Sequence, residues 1–160
     1  MPYTSSQAIR SQGAILAHGA GTPAVYTEVE ELTDIQLTGI AVQSVDVTNL
    51  SSSSKEFIAG LNDNGSIQIS GNYTHGVGQK ALWADASAGI TAPYKLTLGS
   101  HLITPIVITF SGFPTKFDLS TKVDGKVEFS SAIKITGDIT ITPLRLKIRH
   151  KVRLLGSACS

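Results

Sequence analysis

The sequence predicts an all-β domain, a sandwich or barrel with one short flanking α-helix. Three observations carry this. Serine and threonine together supply 34 of 160 residues while charged residues are only 16%. That mixture of hydroxyl and β-branched side chains suits half-buried pleated surfaces. Apolar residues recur with period 2 over most of the chain. Turn signals return every 8–12 residues or so, the spacing of short antiparallel strands.

The elements follow in order. Residues 1–23 read as a flexible N-terminal arm, punctuated by Ser5, Ser6, Gly13, Gly19, Gly21 and Pro23. Only Ala14-Ile15-Leu16-Ala17 offers packing there, enough for a short strand. A sandwich domain is expected over 24–142. Val25, Thr27 and Val29 alternate with Tyr26, Glu28 and Glu30, and residues 32–37 continue extended. Thr38-Gly39 permits a bend, after which 41–47 carries Val45 and Val47 on one side and Asp46 on the other. Residues 48–56 form a polar loop. Residues 57–61 are apolar, and Asn62-Asp63-Asn64-Gly65 is a turn signal, Asn-Gly being suited to positive φ. Residues 66–73 alternate again, with Ile67 and Ile69 on one face.

Good helix formers occupy residues 79–88, and Gly89 marks the stop. So short a helix must be held by packing, and Trp83 is its expected core anchor. Strands are then expected at 94–98, 102–110, 113–119, 127–129, 132–136 and 139–142, with Gly137-Asp138 as a break. Beyond them lies a basic extension, 143–160. Leu144, Leu146, Ile148, Val152 and Leu154 alternate there with Arg145, Lys147, Arg149, Lys151 and Arg153. Residues 1–140 hold eight Lys/Arg against twelve Asp/Glu, whereas the last twenty hold five cations and no acid. The formal charge of +1 therefore hides an acidic body and a basic tail.

Catalytic, metal and cofactor residues are not expected. His18, His75, His101 and His150 are scattered, none at metal-ligand spacing from Cys, Asp or Glu. No Gly-x-Ser-x-Gly nucleophile elbow occurs. Gly76-Val77-Gly78 lacks the rest of a phosphate-binding fingerprint and reads as a loop. Glu28, Glu30 and Glu31 read as a solvated strand face. The single cysteine, Cys159, excludes an intramolecular disulfide framework. No basic-then-apolar leader opens the chain, and the apolar-rich stretch 102–110 is too short and too polar to span a bilayer. The expectation is synthesis in the cytoplasm with no membrane partner. The basic tail could meet phosphates, but it has no interleaved aromatic for base stacking.

Several motifs in sequence resemble the tail tube proteins of long, non-contractile-tailed bacteriophages. They are Pro23-Ala-Val-Tyr26-Thr27-Glu28-Val29, then Val45-Asp46-Val47-Thr48, then the block Lys55-Glu56-Phe57-Ile58-Ala59-Gly60-Leu61-Asn62-Asp63-Asn64-Gly65. Asn72-Tyr73, the Gln79 helix, Phe110-Ser-Gly112-Phe113 and Ile133-Lys134-Ile135-Thr136-Gly137 follow. The resemblance covers residues 13–140 or so and omits the basic tail. It implies an immunoglobulin-like sandwich whose copies form stacked, hexameric rings, a virion tail tube through which DNA passes without specific binding. Implied partners are other copies, tail tip and terminator proteins, and a tape measure protein. The loop over 48–62 would bridge stacked rings, with Thr48, Lys55, Glu56, Phe57, Ile58, Leu61 and Asp63 as contact residues. A monomeric immunoglobulin-like binding module is the alternative. It would display clustered aromatics at loop tips, whereas aromatics are 6% here and lie mostly within predicted strands. A small β-fold enzyme ranks last, since no constellation supports it.

Overall fold

The computed structural model describes residue 9 and residues 11–143. Seven strands and one helix make an all-β domain with a single flanking helix: β1 (Ile15–Ala20), β2 (Val25–Glu28), β3 (Leu32–Asp46), β4 (Phe57–Asn72), α1 (Val77–Ala88), β5 (Ala92–Leu98), β6 (Ile106–Ser120) and β7 (Glu128–Pro143). All neighbours are antiparallel, in one hydrogen-bonded sheet of order β2-β1-β5-β6-β7-β4-β3. The separate sheets expected of a sandwich are therefore joined into one.

That sheet is curled. A flat sheet of seven strands would hold its outer strands about 29 Å apart. Yet the two outer strands, β2 and β3, are consecutive in the chain, and residues 29–31 alone connect them. Such a link spans at most about 14 Å. Its backbone shows the junction: Val29 N–H donates to Leu16 O on β1, and Asn72 N–H on β4 donates to Glu31 O. No ladder pairs β2 with β3, so the sheet's two edges are drawn together at this point without being joined.

The curl buries one core. Leu16 of β1, Ile67 and Ile69 of β4, Tyr94 and Leu96 of β5, Phe110 of β6, and Phe129, Ile133 and Ile135 of β7 pack with Leu82 of α1. Along β4 and β7 these are alternate residues, as period 2 demands. Tyr94 stacks on Phe110 at 5.6 Å, and Phe117 stacks on Phe129 at 5.6 Å.

Three expectations are corrected here. Residues 15–20 do not belong to an arm: β1 lies between β2 and β5, and Leu16, Ala17 and His18 are buried. Residues 62–65 do not form a turn, because Val42 pairs with Asn62 and Ile40 with Asn64 inside a continuous hairpin. The positive φ read from Asn-Gly is real, at Gly65 (75°), and the bend read at Gly39 (83°) is real too. The two glycines face each other between the Thr38–Ser66 and Ile40–Asn64 pairs, so both strands bend together. A Cβ on Gly65 would run into the Thr38 carbonyl.

Trp83 is the third. The helix stops at Gly89, which adopts the left-handed conformation at φ 66°, as the sequence indicates. Its inward residues, however, are Gln79, Leu82 and Asp85, at i, i+3 and i+6. Trp83 sits one residue, about 100°, round from Leu82. It rests on Phe117 at 5.3 Å and is 47% exposed, whereas Leu82 is wholly buried. Leu82 is the anchor.

Polar contacts tie the helix at both ends. Gln79, fully buried, accepts from Thr74 N–H and donates to the carbonyls of Glu30 and Asn72. That makes the side-chain amide a clasp between the β2–β3 link and the end of β4. The Glu30 carboxylate, read as part of a solvated face, instead lies against Gly76 and accepts weakly from Gly78 N–H at 3.4 Å. Negative charge there suits a helix N-terminus that has no side-chain cap of its own. Near the other end, Asp85 Oδ2 lies 2.6 Å from His18 Nε2, both side chains about nine-tenths buried. His18 is thus a core residue rather than a loop histidine.

Candidate assembly surfaces

Beyond Gly39 and Gly65, β3 and β4 leave the body. Up to Ser66, β4 pairs with β7 on one side and β3 on the other, but residues 57–64 pair with β3 alone. The result is a two-stranded ribbon about 27 Å long, closed at its tip by residues 47–56. Alternation puts Ile40 and Val42 on one face together with Phe57, and Val45 with Ile58 on the other. All are exposed, as are Val47 and Leu61, the latter at 86%. A lone two-stranded ribbon is marginal in water, and apolar side chains exposed on both of its faces are the kind of patch that marks interaction surfaces.

The expected loop residues now have places. Phe57, Ile58, Leu61 and Asp63 are in strand β4, not in a loop, so the connecting loop is shorter than the predicted 48–62. Gly60 and Leu61 lie in a bulge opposite Gln43, where the register shifts between Val42 and Ser44. Thr48 organises the tip. Asp46 Oδ1 accepts from Thr48 N–H at 2.9 Å and from its hydroxyl at 2.5 Å, while Glu56 N–H donates to Thr48 Oγ1 at 3.0 Å. Ser52 Oγ donates to Glu56 Oε2. Lys55 is exposed beside them. Asp63 is bound by Lys134 Nζ at 2.6 Å and by Gly65 N–H at 2.8 Å. The Lys134 bond, then the Gly65 bond, hold its carboxyl below the ordinary aspartate range.

The Thr48 hydrogen bonds, the side-chain one first, likewise lower the Asp46 pKa. A depressed carboxylate pKa means the turn is favoured above the ordinary aspartate value and released as pH falls through the depressed one. In an acid titration the Thr48 amide proton should shift with a midpoint below that of an ordinary aspartate. Replacing Asp46 by asparagine should remove the titration, and a midpoint at or above the ordinary value would count against the geometry.

A second surface is the uncovered face of β3-β4-β7-β6. Register rows read Asp34–Ser70–Ser130–Asp118 and Gln36–Gln68–Ala132–Lys116. These two rows are polar, the next, Thr38–Ser66–Lys134–Phe113, adds one half-buried aromatic, and Lys116 sits beside Asp118 at 2.5 Å. A third is a shallow groove of about 250 Å³ between α1 and β6, lined by Trp83, Ala86, Ser87, Thr115, Lys116 and Phe117.

Among the described residues no three or more His, Cys, Asp or Glu side chains gather as a metal site, and no helix is long and apolar enough to cross a membrane. The basic extension, with Arg145, Lys147, Arg149, Lys151, Arg153 and Cys159, lies outside the described residues. Sequence reasoning did not find the ribbon, the groove or the His18–Asp85 pair. The run of exposed-or-buried ambiguity at residues 40–47 and 57–61 was the available signal for the first; nothing local marks the other two.

No protein-family model and no curated protein matches the chain. Solved structures do. The fold is similar to one in the tail of an empty gene transfer agent particle refined with C6 symmetry, at 16% identity, TM-score 0.65, covering 80% of this chain and 95% of that one. It is similar to the SPP1 tail tube at 13% identity and TM-score 0.66, covering 85% and 80%. It is also similar to a chain of the anti-feeding prophage tube-terminating cap, at 13% identity and TM-score 0.64, covering 89% and 96%. At such identities the likeness establishes a shared fold.

Proposed function

We propose that this protein is a structural, non-catalytic virion subunit that self-assembles into the stacked, hexameric rings of a tail tube. The observation that carries this is the ribbon: apolar side chains exposed on both faces of an arm that its own domain does not cover. Structures from a phage tail tube, a gene transfer agent tail and an injection-system cap share the fold, which supports the reading, as do the ordered sequence motifs. On it, the immunoglobulin-like body forms the ring, and Thr48, Lys55, Glu56, Phe57, Ile58, Leu61 and Asp63 belong to the inter-ring arm. Tail tip, terminator and tape measure proteins meet the tube at its ends and in its bore.

The polar β3-β4-β7-β6 face is the natural lining of a DNA channel. Its lysines are partnered, Lys116 with Asp118 and Lys134 with Asp63, so it offers no column of free cations to hold phosphates.

Electron microscopy of concentrated protein tests the reading: hollow tubes are expected. Replacing Phe57 and Ile58 by serine should leave the melting temperature within a few degrees, both being exposed, and abolish tube extension. Normal tubes from that variant would remove the arm from the contact. The five cations of the extension are placed outside the bore, so tubes ending at Thr142 should bind DNA as weakly as full-length ones. Strong binding by full-length tubes that truncation removes would reverse that placement.

A further inference from the structure

We infer that the ribbon tip of one copy seats in the Trp83 groove of the next copy along the tube, a proposal that rests on the tube reading above. Trp83 lies on Phe117, which pairs with Ser131, and the equivalent position on β4 is Ile69. From Ile69 to Phe57 is twelve residues of strand, at most about 40 Å. Groove and tip thus lie towards opposite ends of β4, Ile69 near Asn72 and Phe57 at the other end, and both are exposed in the same chain. Two different patches at separated points of one molecule make a heterologous contact. Such a contact propagates head to tail instead of closing a dimer.

The tip carries Val47, Leu50 and Phe57, all exposed, with Asp46 and Glu56 against the single cation Lys55. The groove offers the exposed indole of Trp83 over Phe117, walled by Ala86 and Ser87. Exposed Lys80, one helical turn before Trp83, shares its side of the helix. Lys116 stands at the groove's other edge, already beside Asp118. The tip is therefore net acidic, and with Lys116 offset by Asp118 the cation that faces it is Lys80 at the groove's rim; each side is built around an aromatic centre. Aromatic anchors in a partly enclosed pocket with opposite charges at the rim are how protein contacts concentrate their affinity. The contact also explains why the tip is ordered by Thr48: a preformed loop has less entropy to lose on docking.

The test is a cysteine pair, Leu50→Cys with Ser87→Cys, in a Cys159→Ser background. Under mild oxidation, polymerised protein should give a ladder of dimers, trimers and higher species in denaturing gels, while each single-cysteine variant gives none. Independently, Lys80→Glu should reduce polymer yield at least tenfold, and adding Glu56→Lys to the same chain should restore it. Both sites are surface positions, so folding is kept. Tubes that form normally yet yield no ladder, or a Lys80→Glu variant that assembles as wild type, overturn the groove assignment and leave the tube reading standing. Wild-type protein that stays monomeric at every concentration fails the tube reading itself, and the groove with it.

Discussion

Replacing His18 by alanine is expected to destabilise the domain by about 3–5 kcal/mol, because it strands a buried carboxylate. Asp85 Oδ2 lies 2.6 Å from His18 Nε2, and both side chains are largely out of water. The histidine also meets the Tyr94 ring edge-on at 5.5 Å, and the Tyr94 hydroxyl has no hydrogen-bond partner among the described residues. Removing the imidazole therefore takes away the one side-chain partner that the structure gives Asp85, beside a tyrosine hydroxyl that is already unpartnered. Changing both residues, His18→Ala with Asp85→Ala, should cost less than the two single changes added together, since the orphaned charge goes too. Urea unfolding of the four proteins measures this. A single-variant loss below ~1 kcal/mol would mean that water reaches Asp85 once the histidine is gone.

The second large effect concerns the helix. Leu82→Ala should cost about 2–5 kcal/mol, the range for truncating a fully buried leucine. Leu82 is 0% exposed and is the helix's apolar contribution to the core. Trp83→Ala should cost roughly 1–2 kcal/mol despite the larger side chain, because about half the indole is already in water and only its Phe117 contact is lost. The ordering is the point. Equal losses would restore Trp83 as the anchor. On the assembly side the order should reverse, since Trp83 lines the proposed inter-copy groove and Leu82 does not.

Much of the backbone was legible in the residues. Alternation located β2 and the Ser66–Asn72 half of β4, and short runs between turn signals located β5 and parts of β6 and β7. Asn64-Gly65 announced positive φ, Thr38-Gly39 a bend and Gly89 the helix stop; all three features are present, although no turn forms at 62–65. These are local properties, set by steric freedom at one residue or by alternation over a few, and a chain carries them wherever it goes. Strand length was not legible. Residues 102–110 and 113–119 were expected as separate strands, yet 106–120 is one strand bulged at Thr115, and the irregularity opposite Phe110 lies in β7, at residues 137–139. A bulge and a turn use similar residues, and only the partner strand distinguishes them.

Of the candidate contact residues, the sequence alone determined which were apolar and which polar. It also set the acidic body against the basic tail. Tertiary structure decided where they stand. Phe57, Ile58 and Leu61 read as loop contacts until β4 is seen to run through them without β7, which parts from it at Ser66 and leaves them on an uncovered ribbon. Residues 15–20 look like a sparse arm until β2 and β5 flank them. Trp83 looks like an anchor until the helix phase is fixed by Gln79 and Asp85, two polar residues buried by partners 49 and 67 positions away. Burial is a property of the whole surface, decided by which distant segments arrive; a residue's own chemistry states only what it would gain if they did.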